Sequence, residues 1–246
     1  ALGLGVGGVA GRAPAAVRQA ATGGAARRGV RLAHLTDIHV QPELRADAGL
    51  RACLDHVAGL TAADGGRPDL IVTGGDLIMD GFERDESRTR VQWELFTKVL
   101  KDECGARVEH TLGNHDIWGW NKGKSKTTGA EPGWGKKWAL EIVIDSVAVD
   151  PRDANGYIGR LDEAQTAWLE AELKASAEPV VIVSHIPILS MVSMVYTGKV
   201  NEKDLRVEVG AGLMHVDGPK LHRMFTTGAG AGKVKLCLSG HIHRID

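Results

Sequence analysis

Five short polar islands, each directly behind an apolar run, are spread from Asp37 to His243 of this chain. They are Asp37-Ile38-His39, Gly75-Asp76, Gly113-Asn114-His115-Asp116, Ser184-His185 and Gly240-His241-Ile242-His243. Short apolar runs bounded by turn residues read as buried strands. Strands are therefore predicted over Val30–Leu35, Asp69–Thr73, Arg107–Thr111, Pro179–Ser184 and Lys233–Ser239, with another over Ala139–Asp145. Between them, apolar residues recur at helical spacing. Helices are predicted over Ala46–Leu60 (Leu50, Cys53, Leu54, Val57 and Leu60) and Ser87–Glu103 (Val91, Leu95, Val99 and Leu100 on one side). Two more cover Asp162–Ala175, capped by Asp162 with Trp168, Leu169 and Leu173 inward, and Pro219–Phe225. Alternating strands and helices imply an α/β architecture with a largely parallel sheet. Open α/β sheets take ligands in the crevice beyond the carboxyl ends of their strands, so five distant islands can converge on one site.

The islands supply two Asp, one Asn and four His as donors: Asp37, Asp76, Asn114, His39, His185, His241 and His243. In an extended segment, residues two apart share a face, which lets Asp37 and His39 point together while Ile38 turns to the core. The same reasoning pairs His241 with His243. Gly75 and Gly113 remove side chains where backbone must come close to the site. This donor set is enough for two adjacent metal ions, and mixed imidazole and carboxylate suits Zn, Mn or Fe better than Ca or Mg. Two divalent ions against two carboxylates leave the site slightly positive, which would draw in a phosphate ester. Net charge is −1, so no global basic field favours nucleic acid or an anionic membrane.

Taken together, the islands resemble the calcineurin-like metallophosphoesterase family, over essentially Val30–Asp246. The resemblance implies a β-sandwich flanked by helices (α/β/β/α) and in-line attack on phosphorus by a metal-bridging hydroxide. It implies that Asp37, His39 and His243 bind one ion, that Asn114, His185 and His241 bind a second, and that Asp76 bridges both. His115 would touch the phosphate or protonate the leaving oxygen, and Asp116 would orient His115. Purple acid phosphatases carry a tyrosine where this chain has Met79, and serine/threonine phosphatases carry an arginine that Met79-Asp80-Gly81 lacks. Leu35-Thr36-Asp37-Ile38-His39 and Ser239-Gly240-His241-Ile242-His243 look most like the bacterial cyclic-nucleotide phosphodiesterase branch. The expected substrate is a small phosphodiester or phosphomonoester. Two rivals stay open. A non-catalytic interaction module keeping the fold has no need of so many converging imidazoles, and a nuclease sits poorly with the neutral charge.

One domain is expected over residues 30–246; with the last island so near Asp246, either the sequence is clipped at both ends or the second sheet is small. Residues 1–29 read either as the remnant of an export signal, from the Gly-rich apolar run Ala1–Ala10 and the small residues behind it, or as a disordered tail. The first reading places the protein outside the cytoplasm. No later stretch is long enough for a membrane span. Cys53, Cys104 and Cys237 are odd in number and far apart, so they read as buried thiols. Residues 117–138 hold four of the six tryptophans among five lysines. They form either a lid that stacks an aromatic group over the site or a surface loop covering the sheet edge. Ser190–Leu213, with Met191, Met194 and Tyr196, is a second insertion that fills core, walls the cleft or meets another subunit. Of the remaining histidines only His215, two residues before Asp217, invites a test.

Overall fold

The computed structural model describes residues 29–79, 81, 86–116, 146–150, 152, 156–204 and 206–243. The export-signal segment, the strand expected over Ala139–Asp145 and the loop 117–138 lie outside the described residues. Three strands, β1 (Leu32–Leu35), β2 (Leu70–Gly74) and β3 (Val108–Thr111), form a sheet in that order, parallel throughout. Between them run α1 (Ala46–Gly59) and α2 (Glu86–Glu103). β4 (Val147–Val149) and β5 (Tyr157–Gly159) pair antiparallel. The helix α3 (Glu163–Ala175) leads to β6 (Val180–Val183), which pairs parallel with β9 (Val234–Leu238). Between these two strands lie α4 (Met191–Thr197), the antiparallel pair β7 (Lys199–Asn201) and β8 (Arg206–Glu208), and α5 (Gly218–Thr226). The described residues are thus α/β, with parallel sheets and five helices.

Two apolar clusters hold these elements. The first packs Leu50, Leu54 and Val57 of α1 and Trp93, Phe96, Val99 and Leu100 of α2 against Ile71 and the segment after β2. Trp93 and Phe96 meet edge to face at 5.9 Å. These two aromatics, not Val91, set the inward face of α2, and Val91 is turned outward at 47% exposure. Burying a large aromatic outweighs burying a valine, so the helix is rotated to favour the rings. The second cluster joins Leu169 and Leu173 of α3 to Ile182 of β6 and Leu221, Met224 and Phe225 of α5. Asp162 caps α3, accepting from the Gln165 amide at 2.7 Å, as its sequence predicts.

Two expectations need correction. Cys237 is exposed, because β9 leaves much of its length uncovered, and Cys53 and Cys104 are half-buried. Met191 is 63% exposed on the outer side of α4, so it does not fill core. The Ser190–Leu213 insertion holds a helix followed by a small strand pair. Among the described residues, no helix is long and apolar enough to cross a membrane.

Candidate metal centre

Each island follows the carboxyl end of a parallel strand. Asp37 and His39 come after β1, Asp76 after β2, Asn114 to Asp116 after β3, His185 after β6, and His241 and His243 after β9. Backbone hydrogen bonds tie these ends together. The amides of Asp37 and His39 donate to the carbonyls of Gly75 and Asp76, at 3.0 and 2.9 Å, and that of Gly240 donates to His185 at 3.0 Å.

The conformation differs from the extended one read from the sequence. Asp37, His39, Asp76, His241 and His243 all have positive φ, between 50° and 73°. Each left-handed residue costs about 1–3 kcal/mol, and such strain gathers at functional sites. Asp and His tolerate it better than β-branched residues do. Left-handed turns at alternate positions, not a pleated strand, aim Asp37 with His39 and His241 with His243. Ile38 still packs against the core.

The structure brings all seven expected donors together, in two groups that share one carboxylate. In the first group, His243 Nε2 lies 3.0 Å from Asp37 Oδ1 and 3.3 Å from His39 Nε2, while His39 Nε2 lies 3.8 Å from Asp76 Oδ2. In the second, His185 Nε2 lies 3.3 Å from Asp76 Oδ2 and 3.1 Å from both His241 Nδ1 and Asn114 Oδ1. Asp76 Oδ2 therefore faces both groups, while its Oδ1 accepts from the His115 amide at 2.9 Å. Donor atoms at about 3 Å spacing match the edges of a coordination shell of radius about 2.1 Å. The close approach is possible because Gly113 lacks a side chain. A Cβ there would lie 2.1 Å from Asp76 Oδ1.

Proton bookkeeping supports a cation in the second group. His185 Nδ1 donates to the Gly74 carbonyl at 2.8 Å, so the neutral ring presents a lone pair at Nε2. That lone pair faces a carboxylate oxygen, an amide oxygen and a second imidazole nitrogen, all within 3.3 Å. A proton or a metal ion at their centre would relieve such crowding. Burial works to lower the His185 pKa, but Asp76 and Asp37 outweigh it and push it up to about 9. Burial likewise opposes ionisation of Asp76, yet His185 and the His115 amide hold its carboxyl well below the usual range. Burial and the neighbouring His185 push His241 down to about 4, and burial lowers His39 against the pull of Asp76. The site thus favours an ionised Asp76 and neutral His39 and His241, the protonation state of metal ligands, while His185 holds a proton that a metal ion would have to displace.

His115 is half-buried, its Nδ1 against the Met79 carbonyl and its ring edge to face with His39 at 4.8 Å. Asp116 is fully buried, and its carboxylate accepts from the amides of Gly113, Leu77 and Ile78 at 2.7–3.0 Å. These bonds staple the turn carrying Asn114 and His115 to the segment after Asp76. Burial and the charge of Asp76 push Asp116 up to about 7, against those amide donors.

Several supporting residues were invisible in the sequence. Ser146 Oγ accepts from the amides of His185 and Ile186, at 3.0 and 3.1 Å. Gln92 Oε1 accepts from the Met79 amide at 3.0 Å, holding the strip that meets His115. Tyr157 stands edge to face with His241 at 6.1 Å. None of these belongs to a recognisable pattern. His215 bonds Asp217 at 2.9 Å and lies outside both donor groups, its amide on the Pro187 carbonyl. A cavity of about 250 Å³ between α2 and β3 is lined by Leu77, Trp93, Phe96 and Val108 with Cys104 and His110, and by none of the seven donors.

The model of the calcineurin-like phosphoesterases matches residues 30–244, nearly the whole chain. The chain belongs to the calcineurin-like phosphoesterase family. Family membership implies a metal-dependent phosphoesterase, and the two His/Asp groups sharing Asp76 are able to hold metal. Among curated proteins, none matches the chain.

Proposed function

We propose that this calcineurin-like phosphoesterase is a dinuclear phosphohydrolase acting on a small phosphodiester or phosphomonoester. The observation that carries the reading is the single carboxylate of Asp76 facing two separate imidazole-rich groups. Asp37, His39 and His243 would hold one ion, Asn114, His185 and His241 the other, and Asp76 both, with Fe, Mn or Zn the metals that suit such donors. Ions bound there supply Lewis acidity to phosphate oxygens and a water that ionises near neutral pH.

The chain's own residues do the rest. His115, whose Nδ1 donates to the Met79 carbonyl, would act as general acid in its imidazolium form, giving the Nε2 proton to the leaving oxygen. Asp116 holds the turn that presents it. Within this reading the full domain is the two-sheet sandwich of the family, with β1–β2–β3 and β6–β9 meeting at the metal centre. Diesters are favoured over monoesters by the likeness of the first and last islands to the cyclic-nucleotide branch.

A panel of bis-p-nitrophenyl phosphate, p-nitrophenyl phosphate and cyclic AMP, each with added Mn and after chelation, tests the proposal. Turnover that vanishes on chelation and returns with Mn is expected. Inertness towards all three substrates in metal-loaded protein would count against it.

A further inference from the structure

Thr36, the residue just before the first island, has no donor role of its own, yet it occupies a confined position. Its Oγ1 lies 2.7 Å from Asp37 Oδ2. The His241 amide lies 3.0 Å from both oxygens of the same carboxylate, and His243 Nε2 lies 3.0 Å from Oδ1. Oδ2 thus receives the hydroxyl as well as a share of the amide, while Oδ1 is the oxygen turned toward His243.

The hydroxyl sits where the ends of three strands meet. A Cβ on Gly74, at the end of β2, would lie 2.5 Å from Thr36 Oγ1. A Cβ on Gly240, after β9, would lie 1.9 Å from Thr36 Oγ1 and 2.4 Å from Asp37 Oδ2. Two glycines therefore make a cradle for this side chain, which only a small residue can enter. A hydroxyl donating to a carboxylate is a charge-assisted bond, shorter and stronger than a neutral one.

We propose that Thr36 is a positioning residue for the first metal group, its hydroxyl occupying Asp37 Oδ2 so that Oδ1 is the oxygen presented to the ion beside His243. The inference rests on the dinuclear reading above. It is also specific to one half of the centre, because the bonds to His185 come from Gly74, Ser146 and Asn114 rather than from Thr36.

The test titrates Mn into metal-free full chain for the wild type, Thr36→Val and Thr36→Ser, reading stoichiometry and affinity by calorimetry and Mn paramagnetic resonance. Partners that orient a metal ligand typically contribute about 10–100-fold in affinity. Thr36→Val, which keeps the shape and removes the hydroxyl, should weaken one of the two Mn sites by about that factor and leave the other intact. Thr36→Ser restores the hydroxyl and should bind both ions as the wild type does. Should Thr36→Val fail to fold, Thr36→Ala removes the hydroxyl without bulk and should show the same selective loss. Two undisturbed sites in the hydroxyl-free variant, or an equal loss in Thr36→Ser, would overturn the proposal while leaving the dinuclear reading in place. Wild-type protein that takes up no Mn would instead overturn the dinuclear reading itself.

Discussion

Gly113→Ala is the smallest change that should disable the centre. The added methyl would lie 2.1 Å from Asp76 Oδ1, 2.4 Å from Asp76 N and 2.8 Å from Asp76 Cγ. Ordinary contact needs roughly 3.4 Å or more, so something must move by about 1 Å. Asp76 cannot retreat freely, since its carbonyl accepts from the His39 amide and its Oδ1 from the His115 amide, each at 2.9 Å. The displacement therefore propagates to both donor groups. Overpacking of this kind costs about 1–3 kcal/mol. For a domain of this size that is a fall of roughly 3–10 °C in Tm of the metal-free protein. A ligand shifted by about 1 Å should lower kcat/KM by about 10²-fold. Calorimetric melting, bound metal after gel filtration, and hydrolysis of bis-p-nitrophenyl phosphate read the three effects. A Gly113→Ala protein that keeps wild-type metal content and activity would refute the claim that Asp76 must occupy this position.

Other outcomes follow from neighbouring residues. Ser146→Ala leaves the buried amides of His185 and Ile186 without their shared acceptor, so urea unfolding should show a loss of about 1–3 kcal/mol. An unchanged midpoint would mean another acceptor takes over. Acid should also act through His110, which lies at the end of β3, bonds Thr73 Oγ1 at 3.0 Å and is pushed down to about 4 by burial. A depressed histidine contributes stability that is complete above its unfolded pKa of about 6.5 and is lost as pH falls toward the folded value, here up to about 3 kcal/mol. Metal-free wild type should therefore lose that much more stability than His110→Asn between pH 7.5 and 4, and parallel stability curves would refute the assignment.

Much of this arrangement is written locally in the chain. An apolar run followed by a ligand-rich turn marks where a parallel strand ends, so the sites of all five islands were legible. Helices α1, α3 and α5 begin and end within a residue or two of their expected limits, because caps and apolar spacing are local signals. Periodicity failed where a few atoms decide. On α2 the predicted face Val91, Leu95, Val99 and Leu100 failed at Val91, where burial of Trp93 and Phe96 settled the rotation. β4 and β5 have three residues each, too few for alternation to register. The left-handed conformations of Asp37, His39, Asp76, His241 and His243 leave no trace in hydropathy. Ser146, Gln92 and Thr36 matter through hydrogen bonds that no local pattern encodes: Ser146 to the amides of His185 and Ile186, Gln92 to the amide of Met79, and Thr36 to the carboxylate of Asp37.

The shared carboxylate of Asp76 is tested most directly by anomalous diffraction from Mn-loaded crystals. Two peaks are expected, one among Asp37, His39 and His243 and the other among Asn114, His185 and His241, each within bonding reach of Asp76. Peaks lying elsewhere, or a single ion that Asp76 does not touch, would contradict the dinuclear centre.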